Sequence, residues 1–349
     1  MEMKAKSFLG LLLILALALG LIPGMTMTAA ATDYDLWVNG VQVTSANMAD
    51  VLKEDPDNKG KVSYTLADGD TSPATLTLKG VQIKQGYTPS NESMTYAILN
   101  KSTDHRGLRI VLEDGTSNVI DIESINNSTG IRSQSDLTFA GGGSLKVNAS
   151  NTGISLVGTI IINGCSIFVT AQKYGIFANS VAVTNSGRVD SSGNNEVDGI
   201  GINGNNAITI NKGTSVTATG GKYALGKYSD SKYKAVYNKI PGIGWTDTAG
   251  TKGEMEISAV SSDSEKQSLS QYKKVQFPPE PDPTPTAAPT AVLTAAPTAA
   301  PTAAPTAAPT ATPQPVPKTG DSANPVLWLS LMLLGLAGIG GLTASKIRK

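Results

Sequence analysis

The sequence predicts an all-β fold, a right-handed parallel β-helix, and two observations support this prediction. First, residues 108–225 divide into lines of about 22 to 25 residues that each end at a small residue, a period typical of stacked units sharing one core. Second, each of the last four lines holds two alternating apolar runs around a glycine-containing turn, the pattern of paired strands. These runs are LTFAGGGSLKVNA, IIINGCSIFVTA, VAVTNSGRVDSS and ITINKGTSVTAT.

Each line is expected to form one coil of the solenoid, with glycine and asparagine at corners where the backbone needs a positive φ angle. Apolar and small residues alternate with Thr, Ser, Asn and Lys, which are expected to point outward. Leucine-rich repeats are the main rival, but the lines lack their consensus and any helical period. An antiparallel sandwich is a second rival, and it does not explain the line-to-line similarity.

The first residues of the chain have the three parts of an export signal. Lys4 and Lys6 supply the positive end, Phe8–Ile22 the apolar core and Ala29–Ala31 the small residues of a cleavage site. A retained membrane anchor is the alternative, but the apolar run is short for one. Residues 1–31 are therefore predicted to be a signal peptide.

Residues 32–60 are predicted to cap the first end of the solenoid. A hairpin is expected over Leu36–Val43, because Asn39-Gly40 is the strongest two-residue turn signal. A short helix is predicted at Ala46–Lys53. A cap is expected because an open solenoid end exposes unpaired strand edges.

The solenoid itself is placed at residues 61–238. Strands are expected at Lys61–Thr65 and Ala74–Ile83, and the second of these already carries the repeated pattern of two runs around a glycine. Residues 239–277 are expected to close the other end with two strands, in the segments GEMEISAV and KKVQF.

Residues 278–315 form a low-complexity stretch of Pro, Thr and Ala. Such a composition cannot bury a core and favours an extended polyproline II conformation. At roughly 3.1 Å per residue, a linker of this length reaches about 120 Å. The segment is therefore predicted to be a stalk.

Residues 316–349 combine a short motif, an apolar run and a basic tail. The apolar run, Pro325–Thr343, is just long enough to span a bilayer, and the basic end would stay in the cytoplasm. An ordinary single-span membrane protein is one interpretation of the apolar run and the basic tail. The motif consists of Val316, Pro317, Lys318, Thr319 and Gly320.

This arrangement resembles the sorting signal of Gram-positive surface proteins that are cut by sortase, a Leu-Pro-X-Thr-Gly motif followed by an apolar span and a basic tail. Val316 stands where that family has leucine. The resemblance implies that a sortase cysteine attacks the carbonyl of Thr319, releases the chain from Gly320 onward and joins Thr319 to peptidoglycan. The expected location is the cell wall surface of a Gram-positive bacterium.

A second resemblance concerns the two ends of Asp33–Phe277. The segments DLWVNGVQVTSAN and YKKVQFP are similar to segments of clostridial surface proteins. Some of these are described as carbohydrate-binding β-helix proteins with a fold like that of polysaccharide lyases. The resemblance implies a β-helix and suggests glycan binding, but it carries no particular binding residue onto this chain.

Composition excludes several classes of function. The 28 basic residues balance the 28 acidic residues, so no basic field points to nucleic acid. The single cysteine, Cys165, cannot form an intrachain disulfide and is expected to be a packed thiol. The single histidine, His105, lies in the polar stretch STDHRG and is expected in an exposed loop without a catalytic role.

Carboxylates are sparse in the repeats, which argues against a polysaccharide lyase or hydrolase. A glycosidase needs two carboxylates across the bond it cleaves. Residues 131–225 hold only Asp136, Asp190, Glu196 and Asp198. No enzyme is therefore predicted. Asp190, Glu196 and Asp198 are close enough in sequence to form a calcium site, and an Asn- and Asp-rich turn is the alternative.

A candidate binding face is predicted from Lys173-Tyr174 and Lys222-Tyr223, which occupy the same place in their lines, with Tyr228 following. Two coils apart, the pairs would lie on one side of a β-helix at roughly 10 Å. Aromatic faces with cationic donors suit an acidic or neutral glycan, such as a host or plant polysaccharide. The predicted role is a glycan-binding adhesin; a passive surface spacer and a carbohydrate-active enzyme are the alternatives.

Overall fold

A computed structural model describes residues 31–227 and 234–279, which form an all-β structure with almost no helix. These residues belong to one compact unit. One 3₁₀ turn covers Asp263–Glu265. The strands are β1 (Asp33–Val38), β2 (Val41–Thr44), β3 (Val62–Thr65), β4 (Ala74–Leu78), β5 (Gln82–Ile83), β6 (Thr95–Asn100), β7 (Leu108–Leu112), β8 (Ser117–Ile122), β9 (Ser128–Ser133), β10 (Leu137–Ala140), β11 (Ser144–Ala149), β12 (Thr152–Leu156), β13 (Thr159–Asn163), β14 (Ser166–Ala171), β15 (Tyr174–Thr184), β16 (Arg188–Gly193), β17 (Ile200–Ile210), β18 (Ser215–Gly220), β19 (Tyr223–Gly226), β20 (Val236–Asn238), β21 (Gly242–Trp245), β22 (Met255–Ile257) and β23 (Lys274–Phe277).

Most strands pair in parallel with the equivalent strand of the next line, in three series. The first series is β4, β7, β10, β13, the second halves of β15 and β17, and β20. The second series is β5, β8, β11, β14, β16 and β18. The third series is β6, β9, β12, the first halves of β15 and β17, and β19. The predicted all-β class is confirmed, and the paired runs of each line are strands.

A row of isoleucines shows how the lines share one core. Ile98, Ile131, Ile154, Ile176 and Ile202 are successive in-register partners in the third series. Each of them is buried, with at most 1% of its surface exposed. Branched side chains such as these pack well on a pleated surface, so stacking the lines buries one continuous apolar layer.

The glycines that end the lines have a different role from the predicted one. Gly130, Gly153 and Gly175 lie within strands of the third series, and their φ angles are outside the left-handed region. A Cβ atom on Gly153 would lie 2.0 Å from Cγ1 of Val169, and one on Gly130 would lie 2.2 Å from Cγ1 of Val147. The line ends therefore need glycine because the third series packs closely against the second.

Positive φ angles occur instead at the turns between the first and second series. Gly141, Gly164 and Gly213 have φ angles of 97°, 79° and 78°, and Asn185 and Ser186 have angles of 47° and 62°. Glycine and asparagine enter the left-handed region at low cost. The corner prediction is thus confirmed for these turns and wrong for the line ends.

Antiparallel strands lie at both ends of the described region. The predicted hairpin is formed by β1 and β2, and its turn residues Asn39 and Gly40 have φ angles of 52° and 81°. Strand β1 also pairs with β6, and β3 pairs with β4. At the other end, β23 lies between β18 and β21, and β22 pairs with β21. The two strands predicted before residue 278 are therefore confirmed.

The helix predicted at Ala46–Lys53 does not form, and turns occupy that segment. The Asn47 side chain explains its start, because its Oδ1 accepts a hydrogen bond from the backbone N–H of Thr44 at 2.7 Å. Asparagine often favours turns over helix in this way. The backbone N–H of Val51 then donates to the carbonyl of Val62 at 2.9 Å, which ties the segment to β3 instead of to a helical turn.

Several sequence predictions fall outside the described residues. These are the export signal up to residue 30, the stalk beyond residue 279, the whole sorting segment and Tyr228. Within residues 31–227 and 234–279, no helix has the length and apolar character needed to cross a bilayer.

Candidate functional site

A trough with a volume of about 380 Å³ lies on the outer surface of the third series. Its side chains come from four consecutive strands, β6, β9, β12 and β15, and from the corners that precede them. The lining combines aromatic rings, two cations and short polar side chains: Met94, Tyr96, Thr129, Arg132, Asn151, Thr152, Ser155, Lys173, Tyr174 and Phe177.

Strand register fixes the order of the trough residues. Tyr96, Thr129, Thr152 and Tyr174 are successive partners in the parallel ladder. Neighbouring strands lie about 4.8 Å apart, so these side chains form a regular row across the stack. The threonines are buried between the two tyrosines, and they form a low floor between aromatic walls.

Tyr174 and Phe177 form the aromatic wall of the trough. Their ring centroids are 4.9 Å apart, and the rings are tilted by 53°. The Nζ atom of Lys173 lies 5.5 Å from the Tyr174 centroid and 3.4 Å from Oδ2 of Asp198. The ion pair and the contact with the ring hold this ammonium group at the rim of the trough.

Polar side chains along the trough are held in fixed positions by hydrogen bonds. The Nη1 group of Arg132 donates to Oγ of Ser155 at 2.8 Å. The hydroxyl of Thr152 donates to Oδ1 of Asn151 at 3.1 Å, and the amide of Asn151 donates to Asn127 at 2.9 Å. Groups fixed in this way lose little conformational entropy when a ligand binds.

Tyr96 closes the other end of the same row. Its hydroxyl donates a hydrogen bond to the carboxylate of Glu92. Burial, followed by this hydrogen bond, raises the pKa of Tyr96 to about 12. The phenol therefore remains neutral at physiological pH, and the trough gains no negative charge from it.

The predicted alignment of the two Lys-Tyr pairs is found in the structure. Tyr174 pairs with Ile200, and Ile200 pairs with Tyr223, so the tyrosines lie two strands apart in one row. The Nζ atom of Lys222 lies 5.4 Å from the Tyr223 centroid, close to the 5.5 Å between Lys173 and Tyr174. Ile200 between them is fully buried, however, and the second pair does not line the trough.

Sequence reasoning did not single out Arg132, Phe177 or Tyr96. All three lie on outward rows of the third series, which are identified only once the register of the strands is known. The sequence feature that could identify these residues is their distance from the small residue that ends each line, because residues at equal distances become partners in the ladder.

The three carboxylates predicted as a calcium site are not gathered in the structure. Asp190 points outward from β16 in the second series, where partial desolvation raises its pKa. Glu196 and Asp198 lie in the turn before β17, and Asp198 pairs with Lys173. In the described part of the chain, no three His, Cys, Asp or Glu side chains come together as a metal site. The calcium site therefore remains a prediction without geometric support.

Cys165 and His105 lie as the sequence predicts. Cys165 is buried, with 2% of its surface exposed, and burial raises the pKa of its thiol to about 11. A thiol of this kind is a packing group rather than a nucleophile. The side chain of His105 is 85% exposed in a turn, and its Nδ1 lies 3.6 Å from Asp104.

The fold and the trough together define an all-β protein with an outer surface suited to ligands that have both apolar faces and polar groups. A family model described as "Carbohydrate-binding domain-containing protein" matches residues 58–276. This match covers more than half of the 349 residues and every residue of the trough, and the chain belongs to this family. No match was found among curated proteins or among solved structures.

Proposed function

We propose that this protein binds carbohydrate through the outer trough and does not cleave it. The observation that carries the proposal is the Tyr174–Phe177 wall beside Arg132 and Lys173, within the matched family range. A sugar ring has a face of C–H groups that packs on aromatic rings, and its hydroxyl or carboxylate groups accept hydrogen bonds from cationic side chains. A host or plant polysaccharide is the proposed ligand.

The proposed site extends along the row beyond the trough. Lys222 and Tyr223 repeat the Lys173–Tyr174 arrangement two strands further on, and Tyr228 follows them in the sequence. We therefore assign Lys222 and Tyr223 to the outer part of the same surface, and Tyr228 is proposed from the sequence as a further glycan-binding residue. Asp190, Glu196 and Asp198 are kept as the proposed residues for any calcium dependence.

The framework of the site is proposed to be a right-handed parallel β-helix over residues 61–238, closed by residues 32–60 and 239–277. The three parallel series with in-register partners support this description. The right hand is inferred from the strong preference of parallel strand connections for that hand. Such a stack provides a rigid surface for a regular ligand.

The proposed location is the cell wall surface of a Gram-positive bacterium. The sequence features that support it are the export signal at residues 1–31, the stalk at 278–315 and the sorting segment at 316–349. Sortase and peptidoglycan are the partners of this step, and Thr319 is the attachment residue. The stalk would present the binding surface beyond the wall.

The anchoring proposal is tested with Thr319→Ala. The parent chain is expected to be released from cells by a wall-digesting enzyme, whereas the variant is expected to remain in the membrane or the medium. Lys318→Ala, at the variable position of the motif, is the matched control and should be anchored like the parent. Release of Thr319→Ala and the parent in equal amounts would contradict the proposal.

The binding proposal is tested by applying cells that display the full chain to a glycan array, with and without calcium. Cells that lack the chain are the control, and soluble products are measured in parallel. Binding without depolymerisation is expected. Cleavage products would show a carbohydrate-active enzyme, and the absence of binding to every glycan would favour a passive surface spacer.

A further inference from the structure

A second aromatic pair lies at the N-terminal end of the third series. The rings of Trp37, in β1, and Tyr87, in the segment before β6, are stacked with centroids 4.8 Å apart and planes within 7°. The Nζ atom of Lys101 lies 5.4 Å from the Trp37 centroid and 5.8 Å from the Tyr87 centroid. All three side chains are partly exposed.

The strand register connects Trp37 to the trough. Trp37 is the partner of Leu99, Leu99 of Arg132, Arg132 of Ser155 and Ser155 of Phe177. Partners in a β-ladder lie side by side and point to the same face of the sheet. Trp37 and Phe177 therefore lie in one row, four strand intervals apart.

Tyr87 is connected to the trough in the same way. It forms a bridge with Tyr96 through two backbone hydrogen bonds of 2.8 and 3.0 Å. Tyr96 then leads through Thr129 and Thr152 to Tyr174. Two parallel rows thus connect one aromatic pair to the other.

We infer that Trp37, Tyr87 and Lys101 form a second contact patch for one linear saccharide chain, which runs along the stack from this patch to the Tyr174–Phe177 wall. The inference rests on the proposed carbohydrate binding and adds the direction and length of the ligand. Trp37 precedes residue 58, so the family match does not include it.

The spacing of the patches suits an extended oligosaccharide. Four strand intervals of about 4.8 Å separate the two aromatic pairs, which gives about 19 Å. A single sugar ring or a disaccharide is too short to reach both pairs, whereas a longer linear chain reaches both at once. A chain that is already bound at one patch binds the second patch in an intramolecular step, so its affinity exceeds that of either patch alone.

The chemistry of the patch also fits a saccharide. Stacking covers one face of each ring, so the pair presents the remaining face and the apolar edges to a ligand, and an adjacent cation can donate hydrogen bonds to hydroxyl or carboxylate oxygens. In the described part of the chain, no carboxylate forms an ion pair with Lys101. The ammonium group beside the two rings is the proposed donor to a ligand.

The test uses cells that display the full chain and labelled oligomers of two and of eight sugars, one series of neutral glucose units and one of uronic acids. Trp37→Ala and Tyr174→Ala are compared with the parent, and Phe168→Ala on the second series is the matched control. For the long oligomer, each test variant is expected to weaken binding by about tenfold or more. The short oligomer occupies one patch, so only one variant should weaken it.

The outcomes separate the inference from the proposed function. If only Tyr174→Ala weakens the long oligomer, the second patch is excluded while carbohydrate binding at the trough stands. If no oligomer binds the parent chain, or neither variant changes binding, both proposals are overturned. Trp37→Ala could weaken binding by destabilising the hairpin. Tyr87→Ala removes the other ring of the same patch from outside the hairpin, so it tests the patch independently.

Discussion

The outer surfaces of the second and third series differ although the same stacked lines build both. The third series carries one aromatic pair and the strand edge beside β6 carries another, with cations beside both. The second presents a mixed row in which Lys146, Phe168, Asp190 and Thr217 are successive partners. Its one ring, Phe168, lies under the guanidinium of Arg188 at 5.5 Å. The difference shows that the inner layer determines the stack, while outward positions vary independently and carry the proposed binding.

The largest effect is expected from the layer that both surfaces share. In Gly153→Val, the new side chain would overlap Val169 and the carbonyl of Gly175, because a Cβ atom alone lies 2.0 Å from Val169 Cγ1. Overpacking of this kind costs about 3 kcal/mol of unfolding free energy. Chemical denaturation of the purified chain measures the loss, and binding at the trough should fall with it.

Gly213→Ala is the matched control for that experiment. Gly213 has a φ angle of 78°, and a Cβ atom there would have no neighbour within 4 Å. The cost is then only the left-handed backbone, about 1–2 kcal/mol. If the two variants lost equal unfolding free energy, close contact between the second and third series would not be the reason that the lines end in glycine.

The next effect separates the two surfaces. Tyr174→Ala combined with Phe177→Ala removes the aromatic wall and should weaken glycan binding by at least about tenfold, or 1.4 kcal/mol. Phe168→Ala removes a ring with a similar cation contact from the second series and should leave binding unchanged. Titration of displayed protein with the best glycan from the array measures both. Loss of binding in Phe168→Ala alone would place the site on the outer surface of the second series.

A smaller effect is expected from charge. Arg132→Gln removes a cation that is fixed by Ser155 at 2.8 Å. An acidic glycan should bind about fivefold more weakly, since an exposed pair contributes up to about 1 kcal/mol. Added salt should reduce this difference. Arg188→Gln on the second series is the control, and an equal effect of both variants would indicate general charge attraction rather than a site.

The last effect concerns alkaline stability rather than binding. The pKa of Tyr96 is raised to about 12 from an ordinary value of 10.0. Its contribution to stability is complete below pH 10 and is lost as the pH rises from 10 towards 12, because the unfolded chain ionises first. Tyr96→Phe should therefore lose less stability than the parent over this interval. Melting temperatures of both proteins at pH 9 and pH 11 measure the difference. An equal fall in melting temperature for the two proteins would contradict a raised pKa for Tyr96.

Local pattern was enough to predict the strands and their turns. Alternation gave the paired runs, Asn39-Gly40 gave the hairpin, and equal positions in two lines gave the alignment of Tyr174 with Tyr223. The helix expected at Ala46–Lys53 was wrong because one asparagine side chain favours a turn.

The relation between the two aromatic pairs of the proposed binding surface could not be predicted in the same way. Trp37 and Phe177 share a row only through the register of several strands that are far apart in sequence. The close packing at Gly153 also depends on contact between two series. Neither property is encoded in one local stretch of sequence.

Strand β23 has a mechanical consequence if residues 278–315 form the proposed stalk. It is the last strand among the described residues, and it lies between β18 and β21 with backbone hydrogen bonds on both sides. Tension along the stalk would pull first on Phe277, whose side chain is fully buried. Both ladders must break before β23 leaves, and β23 pairs with none of the strands that line the trough.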